Sequence, residues 1–267
     1  MKKTFIVFFL LLGVASCEKD NQVIVENNNI PLISRKVADG ELFSEYEYND
    51  ANLLAAEKTK FHFTKYNYDD QNQLTSAEFY VDDAIFSSDS RAIEASMMRK
   101  QWVSPANTEK SLTIKFEYND AGRLTKAVYI RPGVINSEYT GFTWTDDRIT
   151  RKTMYWNLQV SGYTDYFYDD RGNLVKEAKY TVAGGDAKLI TSVGYEYDNM
   201  NNPFRSFKRL ITPGIFTNRN NITRETYTLY SDVQPGTENP QDVQYSYEYN
   251  MQGYPVKVNG NLEYIYR

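Results

Sequence analysis

The chain predicts an all-β protein: an antiparallel up-and-down meander, a strongly curved sheet or closed barrel, with one short inserted helix. Three observations carry this expectation. Apolar and polar side chains alternate over most of the sequence, the period of a half-buried strand. Aromatic residues are abundant and lopsided, 23 Tyr against 14 Phe, and tyrosine joins a strand-favouring apolar body to a wet tip. Short turns rich in Asp, Asn and Gly recur between the alternating stretches.

The alternation is clearest in Ser111 to Asn119, where Leu112, Ile114, Phe116 and Tyr118 share one face and Thr113, Lys115 and Glu117 the other. Arg148 to Trp156, Thr164 to Tyr168, Asn173 to Val182, Ser192 to Asp198 and Ile222 to Ser231 behave alike. The pattern predicts roughly 14 to 17 strands. A sheet of that size curls or closes, because a free edge invites unwanted pairing.

Between the strands a unit recurs: Tyr-x-Tyr, then Asp or Asn, a short turn, and Leu. Its copies begin with Tyr46-Glu47-Tyr48-Asn49-Asp50-Ala51-Asn52-Leu53 and Tyr66-Asn67-Tyr68-Asp69-Asp70-Gln71-Asn72-Gln73-Leu74. Phe116-Glu117-Tyr118-Asn119-Asp120-Ala121-Gly122-Arg123-Leu124 and Tyr166-Phe167-Tyr168-Asp169-Asp170-Arg171-Gly172-Asn173-Leu174 follow. The last two are Tyr195-Glu196-Tyr197-Asp198-Asn199-Met200-Asn201-Asn202-Pro203 and Tyr245-Ser246-Tyr247-Glu248-Tyr249-Asn250-Met251-Gln252-Gly253-Tyr254, with a decayed copy at Phe142 to Ile149. Asp or Asn opens each turn by bonding the backbone two residues on. Gly122, Gly172 or Gly253, or Asn in other copies, supplies the left-handed residue of a bulged type I turn. Tyr68, Tyr118 and Tyr168 lie fifty residues apart, which suggests a two-hairpin superperiod.

Asn119 to Leu124 and Asp169 to Leu174 resemble the YD repeat of the RHS family, whose motif runs Tyr-Asp-x-x-Gly-Arg-Leu. The unit as a whole is still more similar to a family of secreted Bacteroidota lipoproteins of unknown function with a porin-like fold. The resemblance covers most of Glu41 to Arg267 and implies a soluble porin-like barrel. The large RHS shell and C-terminal toxin have no counterpart in this chain, so RHS function is not implied.

The N-terminus reads as a targeting segment. Lys2 and Lys3 precede an apolar run from Thr4 to Val14, too short to span a bilayer, which takes about 20 residues. The run ends in Val14-Ala15-Ser16-Cys17, which resembles the bacterial lipobox and implies cleavage before Cys17 and acylation of that residue. Several acyl chains on one residue imply stable membrane anchoring. Glu18-Lys19-Asp20 resembles the surface-export signal of Bacteroidota-type lipoproteins. The expected organisation is a signal peptide over 1–16, a polar, Asn-rich tether over 17–30 and a single β domain over 31–267. Export to the outer membrane, on its periplasmic or cell-surface face, follows from the same resemblance.

The formal net charge is −5, and loss of Lys2 and Lys3 makes the mature chain more acidic. That balance argues against nucleic acid, whose partners present a basic face. Cys17 is the only cysteine, so disulfides and thiolate catalysis within the fold are excluded.

Ser87 to Trp102 breaks the alternation. Ala92, Ile93, Met97 and Met98 stand at helical spacing, Ser88 or Asp89 is a candidate cap, and Pro105 follows. This predicts a helix of about three turns covering one end of the sheet, or a plug over a cavity. Pro132-Gly133, Gly184-Gly185, Pro213-Gly214 and Pro235-Gly236 mark loops.

Chemistry is sparse. His62, the single histidine, alternates with Phe61 and Phe63 and is expected on the solvated face. No serine sits in a Gly-x-Ser-x-Gly elbow, and the His and Cys counts exclude metal sites built on those ligands. Asp69-Asp70, Asp82-Asp83, Asp146-Asp147 and Asp169-Asp170 bring calcium or glycosidase chemistry to mind, yet three of these pairs sit at the repeat turn, where capping explains them. Trp102, Trp144 and Trp156 are candidates for stacking on sugar or for the core. No catalytic residue, cofactor or metal site is assigned.

The expected function is therefore non-enzymatic: a lipid-anchored envelope protein that binds glycan or protein. It predicts an open cavity or groove with exposed aromatics. A purely structural β protein predicts a collapsed interior without convergent polar groups. An outer-membrane channel shares the alternation, but most segments are shorter than a spanning strand and the chain ends in Arg267 rather than an aromatic. A hydrolase predicts two carboxylates about 5–9 Å apart in one pocket.

Overall fold

The computed structural model describes residues 30–82, 102–135, 137–207, 209–210, 212–230 and 240–267. Cys17, the tether up to residue 29, most of the predicted helix at 87–102 and Pro235-Gly236 lie outside the described residues. What is described is an all-β antiparallel meander of seventeen strands. They are β1 (Ile33–Ala38), β2 (Glu41–Tyr48), β3 (Leu54–Thr59), β4 (His62–Tyr68), β5 (Leu74–Val81) and β6 (Lys110–Tyr118). Next come β7 (Leu124–Ile130), β8 (Glu138–Thr145), β9 (Arg148–Trp156), β10 (Gln159–Tyr168), β11 (Leu174–Ala183) and β12 (Asp186–Tyr197). The last are β13 (Ile222–Leu229), β14 (Gln241–Gln244), β15 (Tyr247–Tyr249), β16 (Pro255–Val258) and β17 (Leu262–Tyr266).

Each strand up to β14 pairs with its predecessor, and β1 pairs with β2 on one side and β17 on the other. The sheet thus comes round on itself, but it is not sealed. β14 pairs with β13 and β15 with β16, and these two consecutive pieces of chain share no ladder. Around this seam Tyr245 N–H donates to the Thr223 carbonyl and Asn259 N–H to the Ser246 carbonyl.

The repeat turns explain the motif atom by atom. Asn49 Oδ1 accepts from the N–H groups of Ala51 and Leu53. Asp69, Asn119, Asp169 and Asn250 do the same for the residues two and four positions on. The left-handed residue falls at Asn52, Asn72, Gly122, Gly172 and Gly253, as the sequence predicts. In the paired aspartates at 69–70 and 169–170 the first member, Asp69 or Asp169, is the turn cap.

A second device joins neighbouring hairpins. The hydroxyls of Tyr48, Tyr68, Tyr118, Tyr168, Tyr197, Tyr247 and Tyr266 donate to the carbonyls of Ile33, Leu54, Leu74, Ile149, Leu174, Ile222 and Pro255. In the decayed copy Trp144 Nε1–H donates to the Leu124 carbonyl at 2.7 Å. Each acceptor lies at or beside the start of a strand in the preceding hairpin, or in β1 for Tyr48. A register shift recurs beside the second aromatic, as between Asn67 and Tyr68 or Glu117 and Tyr118. Such a bulge adds local twist and turns the ring along the end of the sheet. The first aromatic faces the wrapped side instead, and Tyr46 and Tyr166 are buried there.

Among the described residues the fifty-residue spacing does not mark a structural period: Tyr68 to Tyr118 holds β5 and β6, whereas Tyr118 to Tyr168 holds β7 to β10. Apolar burial is likewise divided. One cluster joins Ile33, Tyr46 and Leu54 to Phe204 and Phe207, a second Ala56 and Phe63 to Val103, and a third Ile149, Tyr166 and Leu174. The opposite face carries cross-strand ion pairs, including Lys58–Glu47, Lys126–Glu117, Arg151–Asp165 and Arg224–Glu196.

Candidate functional site

Between β12 and β13 the tight turn is replaced by an insertion, residues 198–221, containing a 3₁₀ turn at Pro203–Ser206. Pro203 stands where four copies have Leu, but Pro255 holds the same place in the last, tightly turned copy, so the sequence does not mark the insertion. Asp198 still caps, accepting from Met200 N–H, but its second donor is Asn221 N–H from the far end of the insertion. Asn202 Oδ1 accepts from Phe204 N–H, while its Nδ2 donates to the carbonyls of Ile215 and Asn218. Asn173, fully buried, clasps the segment from β11's turn: its Oδ1 accepts from Arg219 and Asn220 N–H, and its Nδ2 donates to Asp169 and Asn220. Amide side chains thus replace the missing ladder, as buried polar backbone requires.

So held, the insertion lays Phe204, Phe207 and Phe216 on the wrapped face of β1, β2 and β17. Phe207 packs 5.2 Å from Tyr46, and Phe204 meets Tyr264 edge-on at 5.7 Å. Lys36 Nζ sits 4.6 Å from the Phe204 ring centre and within 6 Å of Tyr46 and Tyr264. Burial pushes its ammonium down to about 8, against the pull of Glu57. Glu57 is itself lowered, because His62, Lys36 and Tyr46 together outweigh burial, which acts to raise it.

The insertion leaves a cavity of about 170 Å³ against β13 to β17, near the seam. Phe204, Ile215, Ile222, Val258 and Leu262 supply apolar wall; Tyr245, Tyr247 and Tyr264 supply rings; Glu225, Asn202, Asn218, Asn220 and Asn221 supply polar groups. Glu225 accepts a hydrogen bond from the Tyr227 hydroxyl. Burial, followed by the Glu225 carboxylate, raises the Tyr245 phenol, and burial pushes Tyr264 up to about 12. Asn218 Oδ1 accepts from Leu174 N–H, whereas its buried Nδ2 has no acceptor.

None of the residues singled out from sequence lies in this cavity. His62 shares the wrapped face with Thr64 and Tyr66, its Nδ1 3.0 Å from Thr59 Oγ1 and its Nε2 3.7 Å from Glu57, and its side chain keeps 37% exposure, in line with the solvated position expected for it. Phe63, on the other face, is covered by Val103. Trp144 is spent on its hydrogen bond and Trp156 is half-exposed on β9. Asp147 meets Arg123, and Asp82 is buried. Among the described residues no group of three or more His, Cys, Asp or Glu is placed to hold a metal, and no helix is long and apolar enough to cross a membrane. Glu225, Asn218, Asn220 and Asn221 escaped the sequence reading, and Asn202 was read only as part of a repeat turn.

No protein-family model matches the sequence, and no curated protein does. Among solved structures, the chain is similar to a porin-like protein from Bacteroides uniformis at 12% identity, over 88% of this chain and 96% of that one, with a TM-score of 0.42. A porin-like protein from Bacteroides vulgatus matches at 10% identity over 88% and 99%, TM-score 0.38. The Tc holotoxin pore of Photorhabdus luminescens matches at 10% identity over 80% of this chain and 12% of that one, TM-score 0.29. Scores this low carry no argument, and the architecture rests on the strand pairing itself.

Proposed function

We propose that the protein is a non-catalytic binding module, anchored in the cell envelope through acyl chains on Cys17, whose cavity takes the terminal sugar of a glycan. One observation supports this most: apolar wall, tyrosine rings, side-chain amides and one carboxylate converge on a single cavity beneath the insertion, the pattern of a small-molecule site. The cavity's size suits one ring rather than a chain. Among the described residues its lining holds Glu225 as its single carboxylate, which gives no support to a two-carboxylate hydrolase.

An outer-membrane channel is disfavoured by the outward face. Arg or Lys facing lipid costs about 2–4 kcal/mol at the bilayer midplane, and Lys58, Lys126, Arg151 and Arg224 all lie there in cross-strand pairs. The structural alternative draws on the ring of aromatic side-chain donors, which holds the sheet without any ligand. A glycan array and protein pull-down with the full chain in detergent test the proposal. Binding that is lost in Ile215→Trp, a change that fills the cavity wall, supports it. Flat results on both overturn it in favour of the structural role.

A further inference from the structure

Of the wrapped-face glutamates Glu57, Glu138, Glu177 and Glu225, the first three have cationic company, Glu138 through Arg131. Glu57 feels Lys36 and His62, and Glu177 raises the otherwise burial-depressed Lys152. Glu225 differs. Its cross-strand neighbours are Tyr195 and Val243, its hydrogen-bond donors are the neutral hydroxyls of Tyr227 and Tyr245, and no ion pair involves it among the described residues. Among the described residues it is also the only charged side chain in the cavity lining. A carboxylate left without a counter-charge among apolar and aromatic walls is costly unless an occupant completes it.

The rest of the lining agrees on what that occupant is. The π faces of Phe204, Tyr245, Tyr247 and Tyr264 attract cations and repel anions, and Lys36 already shows an ammonium resting on Phe204 and Tyr264 from beside the cavity. That ammonium is matched by Glu57, so it leaves Glu225 uncompensated.

We propose that the cavity selects a ligand bearing a cationic ammonium group, held by Glu225 among the aromatic walls. This rests on the reading of the cavity as a ligand site. A protonated amino sugar and a choline-type alkylammonium both carry that charge. The test is a calorimetric and NMR titration of the full chain in detergent with glucosamine, N-acetylglucosamine, glucose and choline. Expected is binding of glucosamine, choline or both at least tenfold tighter than of the two neutral sugars, with the ratio between them naming the source. In Glu225→Gln that preference collapses while the melting temperature stays near wild type; if this variant fails to fold, loss of glucosamine binding in Ile215→Trp serves instead. Neutral sugars binding as tightly as glucosamine overturn the inference and leave the ligand site standing. No binding by any of the four overturns both.

Discussion

Replacing Tyr118 with phenylalanine removes one oxygen and leaves the ring. That hydroxyl donates to the Leu74 carbonyl at 2.8 Å across a chain separation of 44 residues, in a half-buried setting. A neutral hydrogen bond of this kind contributes about 0.5–1.5 kcal/mol net. For a domain of this size, about 1 kcal/mol lowers Tm by roughly 2–4 °C. Tyr168 makes the equivalent bond to Ile149 at 2.7 Å, four strands further on. Well-separated sites add, so Tyr118→Phe with Tyr168→Phe is expected to cost about 2 kcal/mol and roughly 4–8 °C. The control is Tyr139→Phe, whose ring stacks on Tyr155 at 4.4 Å and whose hydroxyl makes no hydrogen bond; it should shift Tm by under about 1 °C. Urea melts followed by near-ultraviolet circular dichroism give the energies. If the double variant melts with the control, the hydroxyls are not joining the hairpins and tyrosine is conserved in the motif as bulk alone.

Asn173→Leu leaves the Arg219 and Asn220 N–H groups without their acceptor, and is expected to cost about 2–4 kcal/mol in urea unfolding; limited proteolysis should then cut within 198–221 first. Gly172→Ala places a Cβ at φ 92°, 3.2 Å from Arg148 Nη2, and should lose about 1–2 kcal/mol, read as a lower Tm. Burial pushes the phenols of Tyr68 and Tyr118 up to about 12. A raised folded-state value favours the native state below the unfolded phenol's pKa near 10 and loses that advantage as pH climbs from there toward 12. Phenolate absorbance should therefore lag behind model tyrosine above pH 10 and rise together with loss of structure; ordinary titration of both residues in the folded protein would contradict this.

The turns were legible because their physics is local: Asn119 and Gly122 complete a cap and a left-handed residue within five positions. The donation from Tyr118 to Leu74 was not, since its acceptor lies in another hairpin and its geometry depends on a bulge that alternation does not reveal. Alternation also separates two faces without saying which one the sheet wraps. At Phe63 the side chain lies away from the wrapped face yet is buried under Val103 from a distant segment, while His62 on the wrapped face stays more than a third exposed. Equal spacing misled, because among the described residues Tyr68 to Tyr118 and Tyr118 to Tyr168 hold different numbers of strands. The cavity was invisible because its asparagines act on backbone groups of distant chain, and Glu225 differs from its neighbours only in what fails to face it.

The ring-like path of the meander is tested most directly by thiol cross-linking of its first and last strands. Arg35 in β1 stands opposite Ile265 in β17, whereas Arg151 belongs to β9. With Cys17→Ser as background, Arg35→Cys with Ile265→Cys should be joined rapidly by a short bifunctional thiol reagent, giving a faster-migrating circular species on a denaturing gel. Arg35→Cys with Arg151→Cys should stay linear. Equal reaction of both pairs, or of neither in folded protein, would mean that β1 and β17 do not meet and that the sheet is open.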